Sequence, residues 1–308
     1  MRVLCLFGPQ VAETIAAAVP AVEVVAVDAR SPGDLPDTVH GDVLFGWSDS
    51  PAFPELAGRV PWIHLPGTGV DGLPPDLFEG RTVTCSRGLS AIPIAEFVVG
   101  AILAFEKRFP QVWLSEPPER WNFAEVGELA GRTVGLVGIG GIGTAIAGRL
   151  APFGVSLRAV RRNPARGGVD GVELAAGPAE LVASADHLVL AAPATDRTRH
   201  LVDAELLAHV KPGMHLVNVA RGALVDHDAL RVALGDGRIA CATLDTVDPE
   251  PLPAGHWLYA HPRVRLSAHV SWGSPRAVDR IVEQFVANLR RRLAGEQLAG
   301  VVDAAEGY

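Results

Sequence analysis

The sequence predicts an α/β protein built around a doubly wound parallel sheet, and three observations point there. A short apolar run, Thr133-Val134-Gly135-Leu136-Val137, passes directly into Gly138-Ile139-Gly140-Gly141-Ile142-Gly143, with glycines spaced G-x-G-x-x-G. An Ala/Ile-rich segment at 144–150 follows at once and reads as helix. Strand-like and helix-like runs then alternate along the chain, as a parallel sheet covered on both faces requires. The length of 308 residues fits two domains, at roughly 150 residues each.

The first hundred residues hold short apolar runs at 3–7, 22–27, 43–45, 62–65 and 82–85, each bounded by Gly, Pro, Asp or Ser. These read as strands of a smaller α/β unit. A short helix is expected at 11–19, ending at Pro20. The loop Pro66-Gly67-Thr68-Gly69-Val70-Asp71-Gly72 either turns backbone N–H groups outward for a small anion or is a plain turn. A helix at 94–108 begins after Pro93, and Phe109-Pro110 ends or interrupts it. The boundary between the domains is placed near residue 98, with this helix as the crossing element. Beyond the glycine stretch, strands are expected at 156–160, 187–190, 215–219, 239–244 and 264–266. A short helix ends at 181–184. Asp203 caps a helix carrying Leu206, Leu207 and Val210, and Asp226 caps one that runs through Leu234 to Gly235. Ser274-Pro275 opens a last helix with Val278, Ile281, Val282, Phe285 and Leu289 on one face. The expected domains are therefore 1–98 with 274–308, and 99–273.

The glycine stretch, set between a strand and a helix, has the context that a dinucleotide-binding fingerprint needs. Gly138 permits a tight turn, Gly140 lets backbone approach a pyrophosphate, and Gly143 lets helix pack closely on strand. The free N–H groups and dipole at the helix start suit phosphate. An NAD site calls for Asp or Glu at the end of the next strand, about 20 residues on. Here that strand ends Ala159-Val160-Arg161-Arg162-Asn163, with no carboxylate. Arginine binds phosphate bidentately where an acid would repel it. NADP(H) is therefore the preferred cofactor, with NAD(H) possible; the bland alternative is a pair of surface arginines after a strand.

Composition narrows the function further. The net charge is −8 with no long basic run, which argues against nucleic acid. No apolar run approaches the roughly 18 residues of a membrane span. The start, Met1 to Phe7, is too short and lacks a cleavage site for a leader, so it reads as a first strand. Cys5, Cys85 and Cys241 are odd in number and lie in or beside apolar runs. They are expected to be buried free thiols in a reducing compartment, the cytoplasm. No CxxC or HExxH pattern points to a metal.

Three further segments each follow an expected strand: Asn218-Val219-Ala220-Arg221-Gly222, Asp245-Thr246-Val247-Asp248-Pro249-Glu250-Pro251 and Ser267-Ala268-His269-Val270-Ser271-Trp272. Polar groups beyond the carboxyl ends of parallel strands are where such sheets bind ligands. Singly, Arg221 could pair with a surface acid, Glu250 could sit in a Pro-rich turn, and His269 could be a core histidine. Together with the glycine stretch and the terminal Val301-Val302-Asp303 and Gly307-Tyr308, they resemble the D-isomer-specific 2-hydroxyacid dehydrogenase family over nearly the whole chain. Trp47, the Gly69-Val70-Asp71 loop and Arg161-Arg162-Asn163 look most like its glyoxylate/hydroxypyruvate reductase branch.

The resemblance implies two Rossmann-like domains, one for the cofactor and a smaller flavodoxin-like one for substrate, with the substrate between them and closure excluding water. It implies Arg221, Glu250 and His269 as the catalytic trio. A protonated imidazole, whose free pKa is about 6.5, suits proton donation to a carbonyl oxygen. A nearby carboxylate favours the charged ring and orients it, and an arginine stabilises developing negative charge. Thr68 and Gly69 would hold the substrate carboxylate through backbone N–H groups, with Trp47 and Trp272 beside it. Gly141 and Ile142 would lie along the pyrophosphate, Pro193 and Thr198 beside the adenosine, Val219 and Ala220 against the nicotinamide, and Asp245 on its carboxamide. Two positions depart from the family: Gly141, where many members carry Arg or His, and Trp272, where a small residue is usual. Trp272 either narrows the pocket or packs against a neighbouring helix.

The expected activity is NADPH-dependent reduction of a small 2-oxo acid, glyoxylate or hydroxypyruvate, to the D-2-hydroxy acid, and the resemblance implies a homodimer built around the 94–108 helix and the segment after it. One alternative is a dinucleotide-sensing protein that kept the fold and lost turnover. Another is a family dehydrogenase for 3-phosphoglycerate, a bulky 2-hydroxy acid or phosphite. No extra basic cluster in the N-terminal loops favours a phosphorylated substrate, though Arg87 could serve.

Overall fold

The structure, a computed structural model, describes residues 1–28, 35–36, 38–123, 125–163 and 168–303. In chain order the elements are β1 (Arg2–Cys5), α1 (Pro9–Ala18), β2 (Glu23–Ala26), β3 (Val43–Phe45), α2 (Phe53–Ala57), β4 (Trp62–Leu65), β5 (Thr82–Cys85), α3 (Ala91–Glu106), β6 (Thr133–Val137), α4 (Gly141–Leu150), β7 (Ser156–Val160), β8 (Val172–Leu174), α5 (Pro178–Ser184), β9 (His187–Leu190), α6 (Ala204–Leu207), β10 (Met214–Asn218), α7 (His227–Gly235), β11 (Ile239–Leu244), α8 (Trp257–Ala260), β12 (Val264–Leu266) and α9 (Ala277–Leu293). The chain divides into two units, Met1–Leu89 with Ser274–Tyr308, and Ser90–Gly273. Gly307 and Tyr308, part of the resemblance, lie outside the described residues.

In the first unit, β1 to β5 form a parallel sheet in the order β2-β1-β3-β4-β5. Successive side chains of a strand point to opposite faces, and the two cores follow from that. Val3, Cys5, Val43, Phe45 and Trp62 face one core, with Ile15 of α1 and Phe285 of α9. Leu4, Leu44, Ile63 and Leu65 face the other, with Phe53 and Leu56 of α2. Both faces are covered, so these strands read as continuous apolar runs. The Phe285 ring stacks on Phe45 at 4.1 Å between centroids. Each such buried side chain contributes about 1.5–3 kcal/mol. The apolar face of α9 is Ile281, Val282, Phe285, Val286 and Leu289. Val278, expected on that face, is 45% exposed, because the helix begins at Ala277 rather than at Ser274-Pro275 and Val278 lies in its open first turn.

In the second unit, seven parallel strands run β12-β11-β10-β9-β6-β7-β8. The order reverses between β6 and β9, the switch point at which a doubly wound sheet opens a crevice. On one face, Val134, Leu136, Val189 and Val217 pack with Ile94, Val98 and Ile102 of α3 and Ile146 and Leu150 of α4. On the other, Leu188, Leu190 and Leu216 pack with Leu181 of α5, Leu207 of α6 and Leu230 and Leu234 of α7. Helix α3 contributes to this core, and the division between the units falls at Leu89/Ser90, where the sequence suggested residue 98. It starts at Ala91, with Pro93 inside its first turn, and stops at Glu106, since Arg108 takes a left-handed φ of 54°. Cys5, Cys85 and Cys241 are buried and free. Among the described residues no helix is long and apolar enough to cross a membrane.

Candidate functional site

The sheet register of the second unit puts the ends of six strands on one row. Val137 lies beside Val160 and Leu190, Leu190 beside Asn218, Asn218 beside Leu244, and Leu244 beside Leu266. The residues next in sequence after these ends are Gly138, Arg161, Ala191, Val219, Asp245 and Ser267. The separate segments singled out in the sequence thus share one edge, the carboxyl edge of the sheet.

At the centre of that edge stands the glycine turn. Gly138 has a φ of 97°, and a Cβ on it would meet the Ala191 carbonyl oxygen at 2.8 Å. A Cβ on Gly143 would run into the carbonyl of Gly138, so the first turn of α4 sits directly on the strand end. Around Gly140, the residue preceding α4, the space where a Cβ would stand is open. Gly140 makes no side-chain cap, so the first N–H groups of α4 keep their hydrogen-bonding capacity and the helix dipole adds positive potential. Gly140 and Gly141 are exposed and Ile142 is half-buried. These features fit a dinucleotide pyrophosphate. Arg161, half-buried, and the exposed Arg162 and Asn163 continue from Val160, which is registered beside Val137. Among the described residues directly after this strand, Arg161, Arg162 and Asn163, none carries a carboxylate. The Thr198 hydroxyl donates to the Pro193 carbonyl at 2.7 Å and accepts the Thr195 N–H at 2.8 Å, which ties the loop after β9.

The next segment is shaped by Asn218, which is fully buried. Its side-chain oxygen accepts the Ala220 N–H at 3.1 Å and its amide donates to the Arg221 carbonyl at 2.9 Å. The Arg221 guanidinium donates to the Ala220 carbonyl at 2.8 Å. A Cβ on Gly222 would overlap the Val247 backbone, so the loop bearing Arg221 lies directly against the loop bearing Glu250.

Glu250 and His269 form a pair, with Nδ1 of the imidazole 2.8 Å from Oε2 of the carboxylate. The other oxygen, Oε1, accepts the Val247 N–H at 3.0 Å. Burial works to raise the Glu250 carboxyl, but the His269 ring, the Val247 N–H and the charge of Arg221 outweigh it and hold it below the usual carboxylate range. That influence places Arg221 in electrostatic reach of the pair. The structure therefore brings Arg221, Glu250 and His269 together, half-exposed at the sheet edge.

Asp245 is 1% exposed, and its role in the turn was not legible in the sequence. Its Oδ1 accepts the Ser267 hydroxyl at 2.6 Å and the Val270 N–H at 2.9 Å, and its Oδ2 accepts the Ser271 N–H at 2.9 Å. His269 itself has a φ of 53°, a left-handed conformation that costs a residue with a Cβ about 1–2 kcal/mol. Trp272 donates its indole N–H to the His269 carbonyl at 2.9 Å while its ring packs against the core shared by α3 and α4.

The remaining expected residues belong to the first unit. Trp47 follows β3 and is 37% exposed. Thr68 and Gly69 follow the adjacent β4, and a Cβ on Gly67 would touch the Trp47 ring at 3.4 Å. The Thr68 hydroxyl donates to the Ser86 carbonyl at 3.3 Å. Among the described residues, neither the Thr68 nor the Gly69 N–H donates to a backbone carbonyl.

A cavity of about 260 Å³ on the second unit is lined by His200, Asp226, His227, Asp248, His256 and Trp257, among others. Its three carboxylates, counting Asp228, disfavour an anionic substrate, so it is not read as the substrate site. Among the described residues no group of three or more His, Cys, Asp or Glu is arranged to hold a metal ion.

Residues 99–271 match the family model for the NAD binding domain of D-isomer specific 2-hydroxyacid dehydrogenases. Over 294 residues, 92% of this chain and 91% of the relative, the sequence is 34% identical to glyoxylate/hydroxypyruvate reductase A of Serratia proteamaculans. The structure is similar to that of a D-isomer specific 2-hydroxyacid dehydrogenase from Xanthobacter autotrophicus Py2, solved with NADPH and MES. The TM-score is 0.87 and the identity 30%, over 100% of this chain and 99% of the other. It is also similar to an NADPH-dependent glyoxylate/hydroxypyruvate reductase from Sinorhizobium meliloti, solved with NADP and sulfate. There the TM-score is 0.85 and the identity 25%, over 100% of this chain and 99% of the other.

Proposed function

The chain belongs to the D-isomer specific 2-hydroxyacid dehydrogenase family of NAD(P)-dependent oxidoreductases, and from that premise we propose that it reduces glyoxylate or hydroxypyruvate to the D-2-hydroxy acid with NADPH. The observation that carries the reading is the Glu250–His269 pair, 2.8 Å apart, with Arg221 acting on it at the carboxyl edge of the sheet. Glu250 accepts a hydrogen bond from the Nδ1–H of the ring, which leaves Nε2 as the nitrogen that gives its proton to the carbonyl oxygen of the substrate. Arg221 pairs with the substrate carboxylate or with the oxygen as negative charge builds there. In the first unit, the N–H groups of Thr68 and Gly69, with Trp47 beside them, suit a small carboxylate.

Bound NADPH supplies the hydride. Gly138, Gly140, Gly141, Ile142 and Gly143 hold its pyrophosphate, Arg161, Arg162 and Asn163 the 2′-phosphate, and Pro193 and Thr198 border the adenosine. Val219 and Ala220 border the nicotinamide, and the carboxamide is assigned to Asp245. The preference for NADPH rests on the arginines and the missing acid after β7, and the relatives solved with NADP and NADPH support it. The protein acts as a homodimer in the cytoplasm. Trp113, Leu114, Trp121 and Phe123, all more than half exposed after α3, give a second copy an apolar surface to cover.

The experiment is His269→Gln, which removes the proton donor and little else. Turnover is expected to fall by about 10²–10⁴, the usual worth of a general acid, while dissociation constants for NADPH stay within twofold. Turnover within a few-fold of the unaltered protein would show that His269 is not the donor.

A further inference from the structure

We propose that Asp245 and Trp272 are positioning residues for His269, fixing from two sides the backbone turn that carries its imidazole. The proposal rests on the reading of His269 as the proton donor and says what keeps that donor in place. A non-glycine residue in the left-handed region persists only where its surroundings over-determine it, and His269, at a φ of 53°, is such a residue.

Three hydrogen bonds restrain the two peptides that flank its Cα. The peptide before its Cα is tied through the His269 N–H, which donates to the Asp245 carbonyl at 2.8 Å. The peptide after it is tied twice. Its carbonyl accepts the Trp272 indole N–H at 2.9 Å, and its N–H, that of Val270, donates to the Asp245 carboxylate at 2.9 Å. With both flanking peptides held, φ and ψ of His269 are set together. The Ser271 N–H and the Ser267 hydroxyl complete the turn around the same carboxylate.

The spacing in Asp245-Thr246-Val247-Asp248-Pro249-Glu250 then acquires a division of labour. Asp245 holds the backbone of the histidine and Glu250 holds its ring. Burial works against the Asp245 charge, but the donors from Ser267, Ser271 and Val270 outweigh it and hold its carboxyl below the usual range, so it accepts as a carboxylate. Trp272 departs from the small residue expected there because its ring reaches the core while its N–H reaches the His269 carbonyl. Its role as clamp and a role as wall of the substrate pocket lead to different kinetics.

Trp272→Phe keeps an aromatic ring against the core and deletes only the indole N–H. The test measures kcat and KM for glyoxylate and for phenylpyruvate with saturating NADPH, on the full-length protein, beside Asp245→Asn and His269→Gln. The clamp reading expects Trp272→Phe to lower kcat about tenfold, the worth of one well-placed hydrogen bond. The factor is the same for both acids, with KM, NADPH affinity and melting temperature unchanged. Asp245→Asn cannot accept the full donor set; because Asp245 is also assigned to the nicotinamide carboxamide, this variant is read by the His269 resonance and not by kcat. The Nδ1–H resonance of His269, shifted downfield by Glu250, is expected to broaden or vanish in both variants. An unchanged kcat with glyoxylate and a gain in kcat/KM for phenylpyruvate would overturn the clamp and make Trp272 a pocket wall. If His269→Gln keeps its activity, the proton-donor reading fails on its own. The Nδ1–H resonance, which needs no turnover, still decides the clamp: unaltered in Trp272→Phe and Asp245→Asn, it overturns the proposal.

Discussion

Replacing Glu250 with Gln removes the charge from the pair with His269 and keeps the side chain's shape. The contact is a 2.8 Å hydrogen bond between side chains 40% and 38% exposed. Two unit charges about 4 Å apart are worth about 1 kcal/mol in bulk water and about 4 kcal/mol near a protein surface. Exposure of this degree puts the pair towards the lower figure, since solvent screens it, and about 1.5 kcal/mol is a fair working value. At 1.36 kcal/mol per factor of ten in rate, kcat for 2-oxo acid reduction is expected about tenfold lower in Glu250→Gln. The gap closes only where pH falls through the depressed Glu250 carboxyl and the unaltered protein loses the same charge. The assay is NADPH absorbance at saturating substrate from pH 5 to 9. Superimposable profiles would remove Glu250 from the mechanism. A gap that already closes towards pH 6 would refute the electrostatic part, because the depressed carboxyl is still charged there.

Other expectations follow from the same geometry. Arg161→Asp is expected to lower the ratio of kcat/KM with NADPH to that with NADH by at least about tenfold, because an acid repels the 2′-phosphate and accepts from the ribose hydroxyl; an unchanged ratio would sink the argument from the missing acid. Asn218→Ala leaves the Ala220 N–H and the Arg221 carbonyl without their side-chain partner. It should cost about 2 kcal/mol, read as a fall of several degrees in melting temperature, together with a lower kcat/KM; an unaltered melt would show that water or backbone replaces both bonds. Because the Glu250 carboxyl sits below its unfolded value of about 4.3, the stability it contributes is present above that pH and is lost as pH falls through the lower folded value. Melting temperatures of the unaltered protein and Glu250→Gln should therefore converge only below about pH 4, and convergence already at pH 6 would contradict the depressed carboxyl.

Legibility in the sequence followed periodicity and side-chain cost. The strands of both sheets announced themselves as apolar runs because both faces are covered. Three elements escaped: β8, whose three residues are half-buried or exposed at a sheet edge, and α2 and α8, which are a turn or so long and set among prolines. The expected face of α9 erred only at Val278, since a capping signal at Ser274-Pro275 opens a turn before the helix and not the helix itself. Gly138 and Gly143 were readable because backbone stands where their Cβ atoms would be. The Arg221–Glu250–His269 cluster was readable as motifs, and parallel register explains why they meet. The turn at His269 was not, because a left-handed histidine held by a carboxylate at Asp245 and an indole at Trp272 depends on contacts between segments far apart in sequence. No local pattern marks it, although the unusual Trp272 was the place to look. Glu106, His187, His215 and Thr243 form a buried chain of hydrogen bonds in the second unit that no motif announces. Burial pushes His187 down to about 4 and His215 well below its free value, so both rings pack neutral.

The most direct test of the account is the initial rate of nicotinamide oxidation by the purified protein, with NADPH or NADH, against glyoxylate, hydroxypyruvate, pyruvate, phenylpyruvate and 3-phosphohydroxypyruvate. The expected result is rapid oxidation of NADPH with glyoxylate or hydroxypyruvate, far slower oxidation of NADH, and little with the bulky or phosphorylated acids. Absence of turnover with every acid, while NADPH still binds tightly, would contradict the reading of Arg221, Glu250 and His269 as a working catalytic site.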